Sequence, residues 1–313
     1  MKVKKKIKIF CTIGPSSLNK KFLHYARGKV DLLRLNMSHL SEKKLVQNIK
    51  FILKNSKIPI CIDTEGAQIR TKSRKKYFYK KNKKFKIYED NLYPHNVLSQ
   101  LRKNDHLQIG FRGLEIKIIQ KKSNYVNCIT INDGWWEPNK GVNIKNRKIK
   151  LNYLTKKDFA AIEIGKKFNI NYFALSFTNS ANDVKKFNSL LPLQNKIYKL
   201  ETKLAIKNLK KILLSGKNFL IDRGDLSKEI EWFNIPKTQR LIIKAGNELK
   251  KNIFIATNFL ESMVINKYPT QGEINDIYNA IEIGAKGIVL AGETAIGKNP
   301  IMCVETLNKI TKT

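Results

Sequence analysis

Residues 218–225 read Asn-Phe-Leu-Ile-Asp-Arg-Gly-Asp, a short apolar run that ends abruptly in charged residues and a glycine. A short apolar run of this kind, bounded by turn residues, predicts a buried strand. Seven further runs with the same character occur along the chain, at residues 7–13, 30–35, 58–62, 171–177, 196–200, 252–256 and 286–291. Most of them are followed by helical periodicity, so the chain repeats a strand–helix unit.

Helix-start signals between these runs support the alternation of strands and helices. Each signal pairs a hydroxyl with a carboxylate three residues later, which satisfies free N–H groups of a first helical turn. The three pairs are Thr155 with Asp158, Ser180 with Asp183, and Thr270 with Glu273. Eight strand–helix units predict an α/β fold in which parallel strands close into a (β/α)8 TIM barrel. An open, doubly wound sheet is the competing architecture.

The alternation is interrupted between Thr71 and about Lys150. Short alternating segments separated by turn residues predict strands at 85–88, 107–111, 115–119 and 125–131. We therefore predict a barrel domain of residues 1–70 and 151–313. A small β-rich domain of residues 71–150 is inserted after its third strand.

The start of this insertion is unusually basic. Residues 72–86 contain nine Lys or Arg and no acid, interleaved with Tyr77, Phe78, Tyr79 and Phe85. Such interleaving can form a stacking surface for single-stranded nucleic acid. The preferred interpretation from sequence is plainer: a strand pair with its aromatic side chains turned inward and its lysines outward.

The composition indicates the broad class of protein. The 313 residues are 42% hydrophobic and 27% charged, with a net charge of +36. No apolar stretch reaches membrane-spanning length, and the start lacks the apolar core of a signal peptide. The four cysteines stand far apart without metal-ligand spacing, so we expect a globular cytoplasmic protein. Only nine of the 61 basic residues are Arg, which base recognition favours, so a nucleic-acid partner is not the preferred interpretation.

Polar residues follow the predicted strands at their C-terminal ends, where a (β/α)8 barrel carries its active site. Glu201 and Asp225 offer hard carboxylate oxygens from neighbouring strands, a set suited to Mg²⁺. Arg34, Arg70 and Lys199 offer positive charge for phosphoryl oxygens, the main requirement of phosphoryl transfer. A second oxygen-rich set suits a monovalent cation: Asn36, Ser38, Asp63 and Thr64. An ordinary ion pair is the alternative interpretation of Lys199 and Glu201.

One motif points elsewhere but is weak. Residues 292–298, Gly-Glu-Thr-Ala-Ile-Gly-Lys, follow a predicted strand and nearly match a P-loop. The next residue is Asn299, so the hydroxyl that a true P-loop offers to Mg²⁺ is missing.

At these strand ends the chain resembles the pyruvate kinase family. The matching stretches follow the family's order over nearly the whole chain: 11–17 Cys-Thr-Ile-Gly-Pro-Ser-Ser, 34–39 Arg-Leu-Asn-Met-Ser-His, 63–70 Asp-Thr-Glu-Gly-Ala-Gln-Ile-Arg, 139–143 Asn-Lys-Gly-Val-Asn, 223–226 Arg-Gly-Asp-Leu, 256–263 Ala-Thr-Asn-Phe-Leu-Glu-Ser-Met and 292–297 Gly-Glu-Thr-Ala-Ile-Gly. Each stretch alone is modest evidence, but together they are highly specific. The inserted segment then resembles the family's lid domain, a small β-barrel.

The resemblance implies a phosphotransferase of glycolysis that moves the phosphoryl group of phosphoenolpyruvate to ADP, giving pyruvate and ATP. The implied catalytic residues are Lys199, Arg34 and Thr257. Substrate binding is implied for Arg34, Lys199, Gly224, Asp225 and Thr257, and nucleotide binding for Asn36, His39, Arg70 and Lys140. The implied metal ligands are Glu201 and Asp225 for Mg²⁺, and Asn36, Ser38, Asp63 and Thr64 for K⁺.

Three departures from the family's pattern bear on this expectation. Glu65 stands where the family usually has Lys. Gln68 stands where potassium-dependent members typically have Glu and independent ones Lys, so potassium dependence stays open. Asp222 replaces a small residue and adds negative charge that would either tighten metal binding or repel the substrate.

The chain ends at Thr313, soon after the eighth predicted strand and its helix. We therefore expect that the family's C-terminal regulatory domain is absent and that fructose 1,6-bisphosphate does not shift saturation by phosphoenolpyruvate. A barrel-to-barrel interface would still allow a homo-oligomer, and the sequence leaves the oligomeric state open.

Other functions stay open at this level. One is a non-catalytic pyruvate kinase relative with a ligand-binding or structural role, motivated by Asp222 and Glu65. Another is a nucleic-acid-binding protein built on the barrel, motivated by residues 72–86. A different phosphoenolpyruvate enzyme on a barrel is the third.

Overall fold

A computed structural model describes residues 6–110, 113–145 and 147–312. The strands are β1 (Lys8–Thr12), β2 (Leu32–Asn36), β3 (Ile60–Asp63), β4 (Ile69–Thr71), β5 (Tyr77–Tyr79), β6 (Lys84–Tyr88), β7 (Leu92–Tyr93), β8 (His106–Ile109), β9 (Glu115–Lys121), β10 (Tyr125–Thr130), β11 (Gly134–Trp136), β12 (Gly141–Ile144), β13 (Tyr172–Leu175), β14 (Asn195–Leu200), β15 (Asn218–Asp222), β16 (Asn252–Ala256) and β17 (Gly287–Leu290). The α-helices are α1 (Lys20–Ala26), α2 (Glu42–Asn55), α3 (Val97–Gln100), α4 (Lys156–Lys167), α5 (Ala181–Leu190), α6 (Lys203–Lys207), α7 (Leu209–Ser215), α8 (Arg223–Leu226), α9 (Ile235–Glu248), α10 (Gln271–Glu282), α11 (Gly292–Ala295) and α12 (Pro300–Lys312).

Eight parallel strands within the described residues close into a barrel in the order β1-β2-β3-β13-β14-β15-β16-β17. The last strand pairs with the first, with Lys8 opposite Gly287 and Cys11 opposite Leu290. The predicted TIM barrel is therefore confirmed, and the doubly wound alternative is wrong because the sheet has no open edge. Each of the eight predicted apolar runs overlaps one barrel strand.

Two of the predicted helix starts are complete capping boxes. Ser180 with Asp183 begins α5, and Thr270 with Glu273 begins α10; in each pair both side chains bind backbone N–H groups. The third helix, α4, begins at Lys156 and carries Asp158 in its first turn. In the described part of the chain, no helix has the length and apolarity needed to cross a membrane.

The barrel interior is filled by side chains from alternate positions of its strands. The buried cluster comprises Phe10, Leu32, Cys61, Ala174, Ile197, Leu220, Phe254, Ala256 and Val289. Successive residues of a strand point to opposite faces, so the residue two positions later points inward again, closer to the strand's C-terminal end. These interior residues form an apolar plug in the barrel. Their positions determine which residues at the C-terminal ends of the strands face one another.

The chain divides into two compact units, one extending to Gly66 and resuming at Lys156, the other spanning Ala67–Thr155. The predicted boundaries at 70 and 150 lie inside the second unit, since β4 pairs with β12 and β7 of that unit's sheet. The described part of this unit holds a curled antiparallel sheet in the order β6-β10-β9-β8-β12-β4-β7 and a β5–β11 ribbon. The predicted strand end at Phe111 lies outside the described residues.

Candidate active site

Polar side chains form the layer directly beyond the apolar plug of the barrel. Arg34, Asp63, Ser176, Lys199 and Asp222 are buried and stand two residues after interior positions of five strands. Those interior positions are Leu32, Cys61, Ala174, Ile197 and Leu220. The two-residue period of a strand thus brings together residues that are up to 188 apart in sequence, as 222 − 34 gives.

Lys199 lies at the centre of this layer. Its Nζ is 3.1 Å from Glu201 Oε2, 3.1 Å from Asp222 Oδ2 and 3.6 Å from Asp63 Oδ2, and it donates to Ser176 Oγ at 3.2 Å. Burial by itself would lower the pKa of this ammonium, but the surrounding carboxylates outweigh burial and raise it. Lys199 is therefore a permanent cation at neutral pH.

Arg34 is the second buried cation and is held by Asp63. Its Nε donates to Asp63 Oδ2 at 2.7 Å, its second terminal nitrogen lies 2.5 Å from the same oxygen, and its first donates to Thr12 Oγ1 at 3.1 Å. Burial opposes the charge, yet the Asp63 carboxylate raises the pKa of Arg34. Since Arg34 and Lys199 share Asp63, the layer holds two cations close together.

An acidic cluster lies beside Lys199. Single carboxylate oxygens of Glu201, Asp222 and Asp225 lie within 4.8 Å of one another. Glu201 is fully buried: Oε1 accepts from the Phe177 N–H at 2.6 Å, whereas Oε2 approaches Lys199 without a hydrogen bond from it or from any other group in the described part of the chain. Asp225 is paired with Lys228, whose Nζ is 2.6 Å from its Oδ1.

The carboxylates of this cluster differ in their acidity. Burial raises the pKa of Glu201 to about 8, opposed by Lys199 and assisted by Asp225 and Asp222. Burial acts in the same direction on Asp222, but there Lys199 and Arg34 outweigh it and lower the pKa. The carboxyl group of Glu201 is therefore a weaker acid than that of Asp222.

Hydrogen bonds join the turn after β15 to the turn after β16. The Gly224 N–H donates to Thr257 Oγ1 at 2.8 Å, and Arg223 donates from two nitrogens to the Thr257 carbonyl at 2.9 and 2.6 Å. Arg223 is also paired with Asp276 at 2.6 Å. Thr257 has a φ of +72°, which is strained for a β-branched residue and is a feature that clusters at functional sites.

The four residues predicted for the monovalent cation lie on the adjacent ends of β2 and β3. Asn36 and Asp63 are register partners, and the Ser38 N–H donates to Asn36 Oδ1 at 3.0 Å. Thr64 Oγ1 accepts from the Ser176 N–H at 3.0 Å. His39 follows on the same turn and is exposed. The structure therefore brings this set together.

The charge of Glu65 is matched by a residue that the sequence analysis did not select. Lys157 Nζ lies 3.0 Å from Glu65 Oε2 and donates to the Met37 carbonyl at 2.5 Å. The buried Asp158 carboxylate accepts from the Glu65 and Gly66 N–H groups at 2.8 and 3.1 Å. Two residues at the start of α4 thus fix the turn after β3.

Two predicted nucleotide contacts belong to the second unit. Arg70 lies on β4 opposite Gly141 of β12, and it donates to the Asn139 carbonyl at 3.1 Å. Lys140 is exposed and paired with Glu137 at 3.2 Å. Lys140 directly precedes β12, so it lies next to Gly141, the residue opposite Arg70. Their nucleotide contacts stay a prediction.

The sequence assigned no role to three residues of this layer and its turns. Ser176 joins Lys199, Asp63 and the Thr64 carbonyl, yet a serine after a strand gives no distinctive signal. Lys157 was indistinguishable from the other lysines of a lysine-rich chain. Arg223 stood in a recognised motif, but only its cross-strand bonds to Thr257 indicate that it holds the turn.

Comparison with known proteins agrees with this arrangement. The family model for the pyruvate kinase barrel domain matches residues 4–304. Pyruvate kinases of Geobacillus stearothermophilus and Methanocaldococcus jannaschii are 30% and 31% identical to the chain, each alignment covering 98% of it. The chain spans 57% and 69% of the lengths of these two relatives. With the family's motifs at the ends of a closed eight-stranded barrel, the chain belongs to the pyruvate kinase family.

Proposed function

We propose that this chain transfers the phosphoryl group of phosphoenolpyruvate to ADP, giving pyruvate and ATP. The observation that carries the proposal is the buried Lys199 ammonium, which lies among three carboxylates and shares Asp63 with Arg34. Two fixed cations in a buried layer suit a substrate that brings several negative oxygens to one place. Membership of the pyruvate kinase family supports the same reaction.

In this proposal the protein acts by binding and stabilising charge rather than by covalent chemistry. Lys199 and Arg34 bind the phosphoryl oxygens, and Lys199 also stabilises the enolate that remains after transfer. The Gly224–Asp225 backbone and the Thr257 hydroxyl bind the substrate at the hydrogen-bonded turns after β15 and β16. Thr257 assists protonation of the enolate through water, which completes pyruvate.

The acidic cluster fits a Mg²⁺ ion. Glu201 Oε2 is a buried oxygen without a hydrogen bond, and the neighbouring carboxylates provide the hard oxygen donors that Mg²⁺ prefers. We infer that Glu201 and Asp225 hold this ion and that Asp222 adds a third carboxylate to the cluster. When bound, Mg²⁺ neutralises charge on the transferring group. The oxygens of Asn36, Ser38, Asp63 and Thr64 are inferred to hold K⁺.

Because the pKa of Glu201 is raised, we predict that the stability of the fold decreases with rising pH and that Mg²⁺ counteracts this decrease. The folded chain binds a proton at Glu201 that the unfolded chain releases near pH 4.5, so the free energy of unfolding falls as the pH rises from 4.5 to about 8. Mg²⁺ needs the ionised carboxylate, and therefore stabilises the fold more at pH 8 than at pH 6. Thermal unfolding with and without Mg²⁺ measures both effects.

The matched control for this prediction is Glu201→Gln, which keeps the side-chain size but cannot ionise. The variant is expected to lose this contribution to the pH slope and most of the stabilisation by Mg²⁺. An unchanged slope and an unchanged response to Mg²⁺ in the variant would show that Glu201 is neither the titrating group nor a ligand.

The direct test of the proposed function is pyruvate formation from phosphoenolpyruvate, ADP and Mg²⁺. We expect turnover that requires Mg²⁺ and stops when a chelator is added. Replacing K⁺ by Na⁺ in the same assay measures whether turnover depends on potassium, which the residue at position 68, Gln68, does not indicate. Absence of turnover from protein shown to be folded would contradict the proposal and favour a non-catalytic relative.

We also infer a cytoplasmic location. All four cysteines, Cys11, Cys61, Cys128 and Cys303, are buried and unpaired. Burial raises the pKa of Cys128 and of Cys303 to about 12, so both stay as thiols. Free structural thiols are typical of a reducing compartment.

A further inference from the structure

An exposed aromatic pair lies on the two-stranded ribbon of the second unit. Phe78 of β5 is paired with Trp135 of β11; their side chains are 49% and 46% exposed, and the ring centroids are 5.1 Å apart with the rings edge to face. The inward orientation preferred from sequence is wrong for Tyr77 and Phe78, which are both exposed. It does hold for Tyr79 and Phe85, which stack at 4.4 Å against the unit's core.

Lysines accompany the exposed rings. Lys76 directly precedes β5, and its Nζ lies 4.7 Å from the centre of the Trp135 ring. Lysines also accompany an aromatic side chain on β6, where Lys84, Lys86 and Tyr88 are exposed around the buried Ile87. These aromatic side chains are thus exposed to solvent beside lysines and are not packed against the core of the unit.

Exposed rings beside cations match one class of partner in particular. The rings of unpaired bases stack on aromatic side chains, and lysines bind the phosphates between them. In a duplex the base faces are stacked on one another, so a duplex would contact the lysines but not the aromatic rings. Residues 72–86 carry nine basic residues and no acid, and they outnumber Asp133 and Glu137, the two acids beside Trp135. The surface therefore carries the positive charge that a polyanion requires.

We propose that the ribbon surface, defined as Lys76, Phe78 and Trp135 with the basic residues around them, binds single-stranded nucleic acid. This activity is separate from phosphoryl transfer and does not depend on it. Bases stack on Phe78 and Trp135, and the lysines hold the adjacent phosphates.

The test measures binding of a fluorescein-labelled oligouridine by fluorescence anisotropy, using the full chain and Phe78→Ala and Trp135→Ala variants. Loss of one stacking ring is expected to weaken binding roughly 5- to 150-fold. Because the phosphate contacts remain, the dependence of affinity on salt between about 50 and 200 mM is expected to keep its slope. Circular dichroism checks that each variant is folded.

The chain offers a matched control elsewhere. Trp232 and Phe233 form another exposed edge-to-face pair, 62% and 61% exposed, beside Glu229 and Glu231. Trp232→Ala and Phe233→Ala are expected to leave oligouridine binding within about twofold of the unchanged chain, since no stacked base is lost.

Three outcomes would overturn the proposal. The first is no binding of oligouridine at physiological salt, and the second is equal binding by Phe78→Ala, Trp135→Ala and the unchanged chain. The third concerns heparin, a polyanion without bases: if its binding falls as much as that of oligouridine in these variants, the rings do not act by stacking. The expected result is heparin binding that the ring variants leave unchanged.

Discussion

Lys199→Met is expected to lower the rate of pyruvate formation by roughly 10²- to 10³-fold or more, the effect of removing one preorganised charge from a transition state. The methionine side chain fills similar space, but it leaves Asp63, Glu201 and Asp222 without the ammonium that faces them. Phosphoryl oxygens would then meet carboxylates in place of a cation. Steady-state kinetics under saturating Mg²⁺ and ADP measures the loss.

The control for this change lies on the same strand. Lys196 stands three residues earlier on β14, near its N-terminal end, and donates to the Leu191 carbonyl at 2.7 Å. Lys196→Met is expected to leave turnover within about twofold, because the catalytic face of a barrel is its C-terminal one. If Lys199→Met kept more than a tenth of the activity, Lys199 would be a structural ion-pair residue and the proposed role would be wrong.

Asp63→Ala is expected to lower the free energy of unfolding by about 3–5 kcal/mol, the cost of breaking a buried ion pair by removing one partner. Asp63 is fully buried and faces both Arg34 and Lys199. Lys199 would retain Glu201 and Asp222, whereas Arg34 would retain, among the described residues, only the Thr12 hydroxyl as a side-chain hydrogen-bond partner. Arg34 therefore loses its ion-pair partner and keeps only the charge of Asp222 nearby. Urea unfolding monitored by circular dichroism measures the change.

An exposed ion pair provides the comparison for that measurement. Glu305 and Lys309 lie one turn apart on α12 with 2.8 Å between their charged atoms, but both are open to solvent. Glu305→Ala is expected to leave the unfolding midpoint unchanged within error, because water and salt screen such a pair. Equal effects of the two substitutions would mean that burial does not strengthen the Asp63 interactions.

The strand–helix alternation was predictable because each unit carries its own local signals. Apolar runs indicated every barrel strand, and the capping boxes at Ser180 and Thr270 marked two helix starts. The limits of the inserted unit were less predictable. Ile69–Thr71 reads as a continuation of the strand-end motif, and only its pairing with β12 and β7 assigns it to the second unit.

For the site, the sequence indicated which residue types lie at the strand ends but not which of them touch. Asp222 was recognised as an added negative charge, whereas its 3.1 Å approach to Lys199 follows from the register between β14 and β15. Ser176 and Lys157 have ordinary local surroundings in the chain, so no pattern distinguished them. Their contacts arise from elements about 90 to 110 residues apart in sequence.

Local periodicity and motifs read in order were enough to indicate the family, the strand–helix repeat and the kinds of chemical group available. Closure of the barrel rests on the pairing of β1 with β17, which no local pattern specifies. Tertiary structure alone decided the electrostatics. Lys199 is a fixed cation and the pKa of Glu201 is raised to about 8 because burial removes water while the barrel brings charges from four strands within a few ångströms. Tertiary structure likewise decided that Phe78 and Trp135 face solvent, since which face of a strand is covered depends on what packs against it.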